Sequence, residues 1–170
     1  AFRIEATVES VLDCSTKHLD EVSGAEVRDA IVRCVEVAKQ TGEYEPFRKH
    51  IYENADTFLE PRKKNSRETV PITLSLFYIA DGDVEKTITF AANFGRDADT
   101  MAAMGGAIAG SLRGVDGVPA HWIEKAQKVF VPECVLFTEG ISEQGGEETD
   151  EFRCPASLHF DQQGLAFVNC

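Results

Sequence analysis

Over roughly the first 130 residues, apolar side chains recur at helical rather than strand spacing. Ile4, Val8, Val11, Leu12 and Leu19 predict a first helix over 4–19 with one buried face. Ser23-Gly24-Ala25-Glu26 has the form of a capping box, and Val27, Ile31, Val32, Val35 and Val37 continue from it until Gly42, so a second helix is expected over 24–40. A less regular helical stretch runs from Pro46 to about Leu59. The proline and cations of Glu60-Pro61-Arg62-Lys63-Lys64-Asn65-Ser66-Arg67 then read as an exposed loop. Ile72, Leu74, Leu76, Phe77, Ile79 and Ala80 are dense enough for a buried helix, with Pro71 in its first turn; strand competes, because Thr, Ile, Phe and Tyr also favour sheets. Asp81-Gly82-Asp83 makes a turn, and Asp83 can cap a helix over 84–92 that pairs antiparallel with the one before it.

Thr100 to Arg113 is rich in Ala, Met and Gly. Ala103, Gly106, Ala107 and Gly110 form a stripe of small side chains at helical spacing, and each glycine there costs about 1 kcal/mol relative to alanine unless packing offsets it. This pattern predicts a central core helix with a close neighbour along that stripe. A loop over 114–119 and a short helix from Pro119 to about Val129, carrying Trp122, complete a helical domain over 1–130. From Val131 the character changes to Pro, Gly and acidic residues with two short apolar pieces, so 131–170 is expected to be an irregular or short-strand tail.

Composition narrows the partners. Seventeen Lys and Arg against 29 Asp and Glu give a net charge of -12, which disfavours a nucleic-acid surface. No apolar run approaches the ~20 residues of a membrane-spanning helix, and residues 1–5 lack the basic-then-apolar order of a signal peptide. Cys14, Cys34, Cys134, Cys154 and Cys170 are odd in number with no close pair, so reduced thiols in a cytoplasmic protein are expected. His18, His50, His121 and His159 are scattered without a metal-ligand spacing. The chain opens on Ala1 directly in a helix-like pattern, as a segment from within a longer protein would.

The densest cluster of chemically capable residues is Gly95-Arg96-Asp97-Ala98-Asp99-Thr100, between two predicted helices. Two carboxylates one residue apart, followed by a hydroxyl, present up to three hard oxygens, which suits magnesium, manganese or calcium and suits zinc poorly. The competing reading is that Asp97 and Asp99 merely cap the next helix. A calcium-binding helix-loop-helix starting at Asp97 needs glycine at the sixth position and glutamate at the twelfth, where Ala102 and Ile108 stand, so that reading fails. An aspartate-nucleophile phosphatase needs a buried strand before the first carboxylate, and Ala91-Ala92-Asn93-Phe94-Gly95-Arg96 is not strand-like.

Over residues 66–125 the chain resembles the C-terminal half of an ADP-ribosylglycohydrolase. The resemblance is carried by Ser66-Arg67-Glu68-Thr69-Val70-Pro71, Leu74-Ser75-Leu76-Phe77, Gly82-Asp83, Asn93 to Thr100, Ala102 to Gly110, and Val118-Pro119 with Trp122, in that order. It implies an all-α, orthogonally packed helical bundle, here a partial domain, with two magnesium ions, or manganese in their place, at the centre. The implied reaction cleaves the bond between ADP-ribose and an acceptor side chain or small molecule. Asp97, Asp99 and Thr100 are then metal ligands, while Asn93, Gly95 and Arg96 lie beside the substrate. The family usually has a second glycine where Arg96 stands; its guanidinium could pair with a phosphate of ADP-ribose, pair with Asp97, or point to solvent.

The resemblance also implies an N-terminal Thr-Asp-Asp triplet and a neighbouring catalytic acid, and neither Ala55-Asp56-Thr57 nor Thr149-Asp150-Glu151 matches it. Three oxygens are offered where two hexacoordinate ions need about a dozen, water included. The chain alone is therefore expected to bind magnesium poorly and to be inactive, the remaining ligands coming from a missing half or a separate chain, and no catalytic residue is assigned. The alternative is a non-catalytic, ADP-ribose-binding or structural member of the same fold.

Overall fold

The computed structural model describes residues 5–62 and 64–129, together with two strands at 158–160 and 166–168. The described residues are overwhelmingly helical, in the order α1 (Val8–Lys17), α2 (Ala25–Thr41), α3 (Tyr44–Glu53), α4 (Ala55–Phe58), α5 (Ser66–Ile79), α6 (Val84–Phe94), α7 (Ala98–Arg113) and α8 (Ala120–Val129). The chain divides into two compact units, Ala1–Ile123 and Glu124–Cys170. In the second, β1 (Leu158–Phe160) and β2 (Ala166–Val168) pair antiparallel with Leu158 opposite Val168. The expected irregular character of the rest of 131–170, with Cys134, Cys154 and Cys170, lies outside the described residues.

Local signals explain most helix ends. Asn65 caps α5 by accepting the Arg67 N–H at 3.0 Å, and Asp83 caps α6 by accepting that of Lys86 at 2.8 Å. Gly42 closes α2 in the left-handed conformation at φ 69°. The capping box anticipated at Ser23 does not form. Asp20 Oδ1 instead accepts from the Val22 and Ser23 backbone and from the Ser23 hydroxyl, which holds the Asp20 carboxyl below its usual range. Glu26, freed from the box, reaches Arg67 at 2.7 Å. The single helix anticipated from Pro46 to Leu59 is broken at Asn54 into α3 and α4.

The helix α5, not α7, is the central one. It starts at Ser66, so Pro71 sits in its interior and not in its first turn. Residues 68, 69 and 71–77 are all buried, whereas an amphipathic surface helix hides one stripe. Its buried hydroxyls are satisfied within the helix: Thr73 donates to the Thr69 carbonyl at 2.7 Å and Ser75 to that of Pro71 at 2.8 Å. That is why a Thr- and Ser-bearing segment with strand-like composition is stable as a buried helix.

Two apolar clusters flank α5. One gathers Cys34, Phe47, Ile51, Ile72, Leu76, Ala91, Phe94 and Met101; the other gathers Val8, Leu12, Ile31, Val35, Leu74, Phe77, Val84 and Ala109. The most extensive pairings are α2 with α5 and α6 with α7. Within α7 the buried stripe is Met101, Gly105 and Ala109, one position off the stripe anticipated from small residues. A Cβ on Gly105 would stand 2.8 Å from Thr87 Cγ2, and one on Gly106 would stand 2.9 Å from Ile88 Cδ1, so α6 does approach there. Ala103 and Ala107 are exposed, and nothing lies within 4 Å of a Cβ at Gly110. Among the described residues no helix is long and apolar enough to cross a membrane.

Candidate functional site

The segment joining α6 to α7 has an unusual backbone. Gly95 lies at φ 95°, ψ -165°, Arg96 at φ 63°, and Asp97 at φ -94°, ψ 54° before α7 begins at Ala98. Glycine is required at the first of these, because that region is closed to residues with a Cβ. Arg96 occupies the left-handed region as a non-glycine residue and needs its surroundings to hold it there.

Those surroundings come from two helices. From α3, Tyr52 donates its hydroxyl to the Phe94 carbonyl at 3.0 Å and Arg48 Nε donates to the same oxygen at 3.2 Å. The Arg48 guanidinium also stacks over the Tyr52 ring at 4.9 Å. From α5, fully buried Glu68 takes the Arg96 guanidinium in a two-point grip, Nε to Oε1 at 2.7 Å and Nη2 to Oε2 at 2.6 Å. The Glu60 N–H donates to Glu68 Oε2 at 2.7 Å, and the Glu60 carbonyl accepts from Arg96 Nη2. The Glu68 carboxylate raises the Arg96 pKa above its ordinary value, chiefly through that hydrogen bond. Within the protein, the partner found for Arg96 is neither Asp97 nor solvent.

Asp97 stands at the N-cap position of α7, yet its side chain makes no capping hydrogen bond. It is 4% exposed, and its carboxylate has no hydrogen-bond or ion-pair partner among the described residues. The capping explanation therefore fails for Asp97. Its oxygens are nevertheless not among the fully buried, unsatisfied polar atoms of the described residues, so they remain open to solvent, the access an approaching cation needs. Asp99 and Thr100 follow in the first turn of α7, both exposed, as is Asn93; Gly95 and Arg96 are half-buried. The donor set of two carboxylates and a hydroxyl fits a hard divalent ion in kind. Among the described residues no group of three or more His, Cys, Asp or Glu converges as a full ligand set.

Two hollows lie elsewhere. One of about 340 Å³ opens between α2, α4 and the start of α5 and includes Asp29, Arg33, Glu60 and Arg67; the other, of about 380 Å³, includes Thr16, Arg28 and Val32. Neither is lined by Asn93, Arg96, Asp97, Asp99 or Thr100. His50 packs edge-on to Phe58 at 5.8 Å and His121 against Trp122 at 5.9 Å, while His18 is exposed. Glu68, Tyr52 and Arg48 escaped the sequence reading, because no short-range pattern marks a partner tens of residues away.

A family model described as ADP-ribosylglycohydrolase matches residues 2–149. The chain is 30% identical over 79 residues to an ADP-ribosyl-[dinitrogen reductase] glycohydrolase of Rhodospirillum rubrum, a match covering 44% of this chain and 26% of that protein. It is 46% identical over 41 residues to an ADP-ribosylhydrolase of Danio rerio, covering 24% of this chain and 11% of the relative. It is 53% identical over 38 residues to an ADP-ribosylarginine hydrolase of Pseudomonas putida, covering 22% and 10% respectively. The matched segments thus span about a quarter or less of these relatives' lengths. No solved structure matches.

Proposed function

The chain belongs to the ADP-ribosylglycohydrolase family, and on that premise we propose that it contributes one side of the metal site of a magnesium-dependent hydrolase that frees ADP-ribose from a modified side chain or small molecule. The observation that carries this reading is Asp97, a largely buried residue at the start of α7 whose carboxylate makes no capping bond and stays accessible, with Asp99 and Thr100 next to it. Asp97, Asp99 and Thr100 would hold magnesium, or manganese in its place. A bound ion there would supply Lewis acidity and a template for the ribose hydroxyls and the attacking water.

The chain's own contribution is orientation. The α7 N-terminus keeps the three oxygens on one short stretch of rigid backbone. Gly95, which has no Cβ, and exposed Asn93 leave room for a sugar to approach that backbone. Arg96, gripped by Glu68, is assigned to holding the turn and not to the substrate. The remaining ligands and the catalytic acid come from residues outside the described set, on a second segment or chain. The reading places the protein in the cytoplasm, where thiols such as those of Cys14 and Cys34 stay reduced.

The test is Asp99→Ala in the full-length protein, which abolishes magnesium-dependent release of ADP-ribose; unchanged turnover ends the reading. The incomplete ligand set among the described residues favours a second reading, a member of the same fold that binds ADP-ribose without cleaving it. Calorimetric titration with ADP-ribose separates the two, since metal-independent binding without hydrolysis supports the second.

A further inference from the structure

We infer that Glu68 is a positioning residue, whose ion pair with Arg96 holds the left-handed turn that presents Asp97 to the metal. The inference rests on the reading of Asp97 as a ligand.

Glu68 and Arg96 are 28 residues apart in sequence, and their pairing joins α5 to the turn between α6 and α7. Through Glu60, which donates its N–H to Glu68 and accepts from Arg96, the residues just before α5 are tied into the same network. Three segments are thereby closed around the residue that immediately precedes Asp97. On the other flank the Phe94 carbonyl is held by Arg48 and Tyr52. The backbone is thus anchored at residues 94 and 96, and the intervening Gly95 takes up the sharp change of direction. Asp97 follows with no side-chain bond of its own among the described residues, so the anchored backbone sets its direction.

Stability is a poor explanation for this arrangement. Withdrawing a carboxylate to full burial carries a large desolvation penalty, which a single ion pair roughly offsets, and a well-packed apolar side chain often does as well or better. An apolar residue at position 68 would also suit its neighbours one turn on, Pro71 and Ile72, which are themselves buried. What an apolar residue cannot supply is a directional two-point hold on a planar guanidinium. Arg96, strained at φ 63°, needs that hold to stay in the left-handed region.

The experiment measures manganese affinity of the full-length protein by electron paramagnetic resonance, alongside kcat, KM and thermal unfolding, for Glu68→Gln, Arg96→Lys and Asp99→Ala. Arg96→Lys keeps the charge opposite Glu68 but loses the fork, and so remains folded even if Glu68→Gln does not. Outer contacts that orient a metal ligand are typically worth about 10–100-fold in metal affinity, and here Glu68 orients Asp97 through the Arg96 backbone and not through a bond to its carboxylate. The expected result is a fall of that size in manganese affinity for Arg96→Lys, with kcat reduced and substrate KM nearly unchanged. Wild-type manganese affinity in folded Arg96→Lys, while Asp99→Ala loses it, overturns the positioning role alone. Wild-type affinity in Asp99→Ala, or no manganese binding by the wild type, overturns the ligand reading and the positioning role with it.

Discussion

The hydroxyl of Tyr52 fills the space that a side chain on Gly95 would need: a Cβ built there stands 2.8 Å from that oxygen. The same hydroxyl donates to the Phe94 carbonyl, so α3 both excludes a side chain at Gly95 and anchors the residue before it. Gly95→Ala therefore meets a clash as well as a backbone conformation that costs roughly 1–3 kcal/mol. Tyr52→Phe alone loses one hydrogen bond, about 1 kcal/mol. Because the phenylalanine variant removes the clashing oxygen, the double variant should be less destabilised than the sum of the two. Urea unfolding of the four proteins checks this, and strict additivity would refute the steric relation.

Two glycines of α7 should respond in opposite directions to the same change. Gly105→Ala places a methyl 2.8 Å from Thr87 Cγ2, and Thr87 is buried with its hydroxyl tied to the Asp83 carbonyl at 2.6 Å, so it cannot swing aside. Overpacking of this kind costs about 1–3 kcal/mol. Gly110→Ala enters open space in a helix and should gain about 0.5–1 kcal/mol. Thermal melts should show the first variant lowered and the second raised, by roughly 2–4 °C per kcal/mol.

Burial pushes the Cys34 thiol up to about 12 from 9.0, against a smaller opposing hydrogen bond with Ser75. The neutral thiol is the form the fold prefers, so its contribution is whole below pH 9, where the unfolded thiol is also protonated. Between pH 9 and about 12 the unfolded chain loses a proton that the folded one keeps, and stability falls by about 1.4 kcal/mol per pH unit. Cys34→Ala should flatten that fall relative to wild type in chemical unfolding curves at pH 8, 9.5 and 10.5. Peptide mapping after mild alkylation should find exposed Cys14 modified and Cys34 protected.

Asp97→Asn separates a role in metal binding from a role in the fold. The change removes the charge, keeps the side chain's shape and breaks no capping bond, since Asp97 makes none. The metal-free variant should melt within about 2–4 °C of wild type, a change of roughly 1 kcal/mol at most. It should also lose manganese affinity. A much lower melting point would mean that Asp97 is structurally paired.

Much of the helical layout was legible because helix ends are decided within four residues. Gly42 at the end of α2 and Asp83 at the start of α6 act through their own backbone conformation or a bond to a near neighbour. The failure at Ser23 is instructive. Asp20, three residues upstream, accepts three hydrogen bonds in the turn before α2, one of them from the Ser23 hydroxyl, and α2 is left without a side-chain cap. The burial of α5 on nearly every side was half visible in its dense apolar run, but its rank as the central helix depended on which neighbours packed against it.

By itself, the sequence determined where the helices begin and end to within a few residues, and that two carboxylates and a hydroxyl stand together where α7 starts, since both follow from bonding between near neighbours. Tertiary structure alone decided which face of α7 meets α6 and that Glu68 holds Arg96. It also decided that Tyr52 and Arg48 brace the turn and that Asp97 is largely buried yet caps nothing. These depend on contacts between residues tens of positions apart, whose energies arise only once the helices have packed and excluded water.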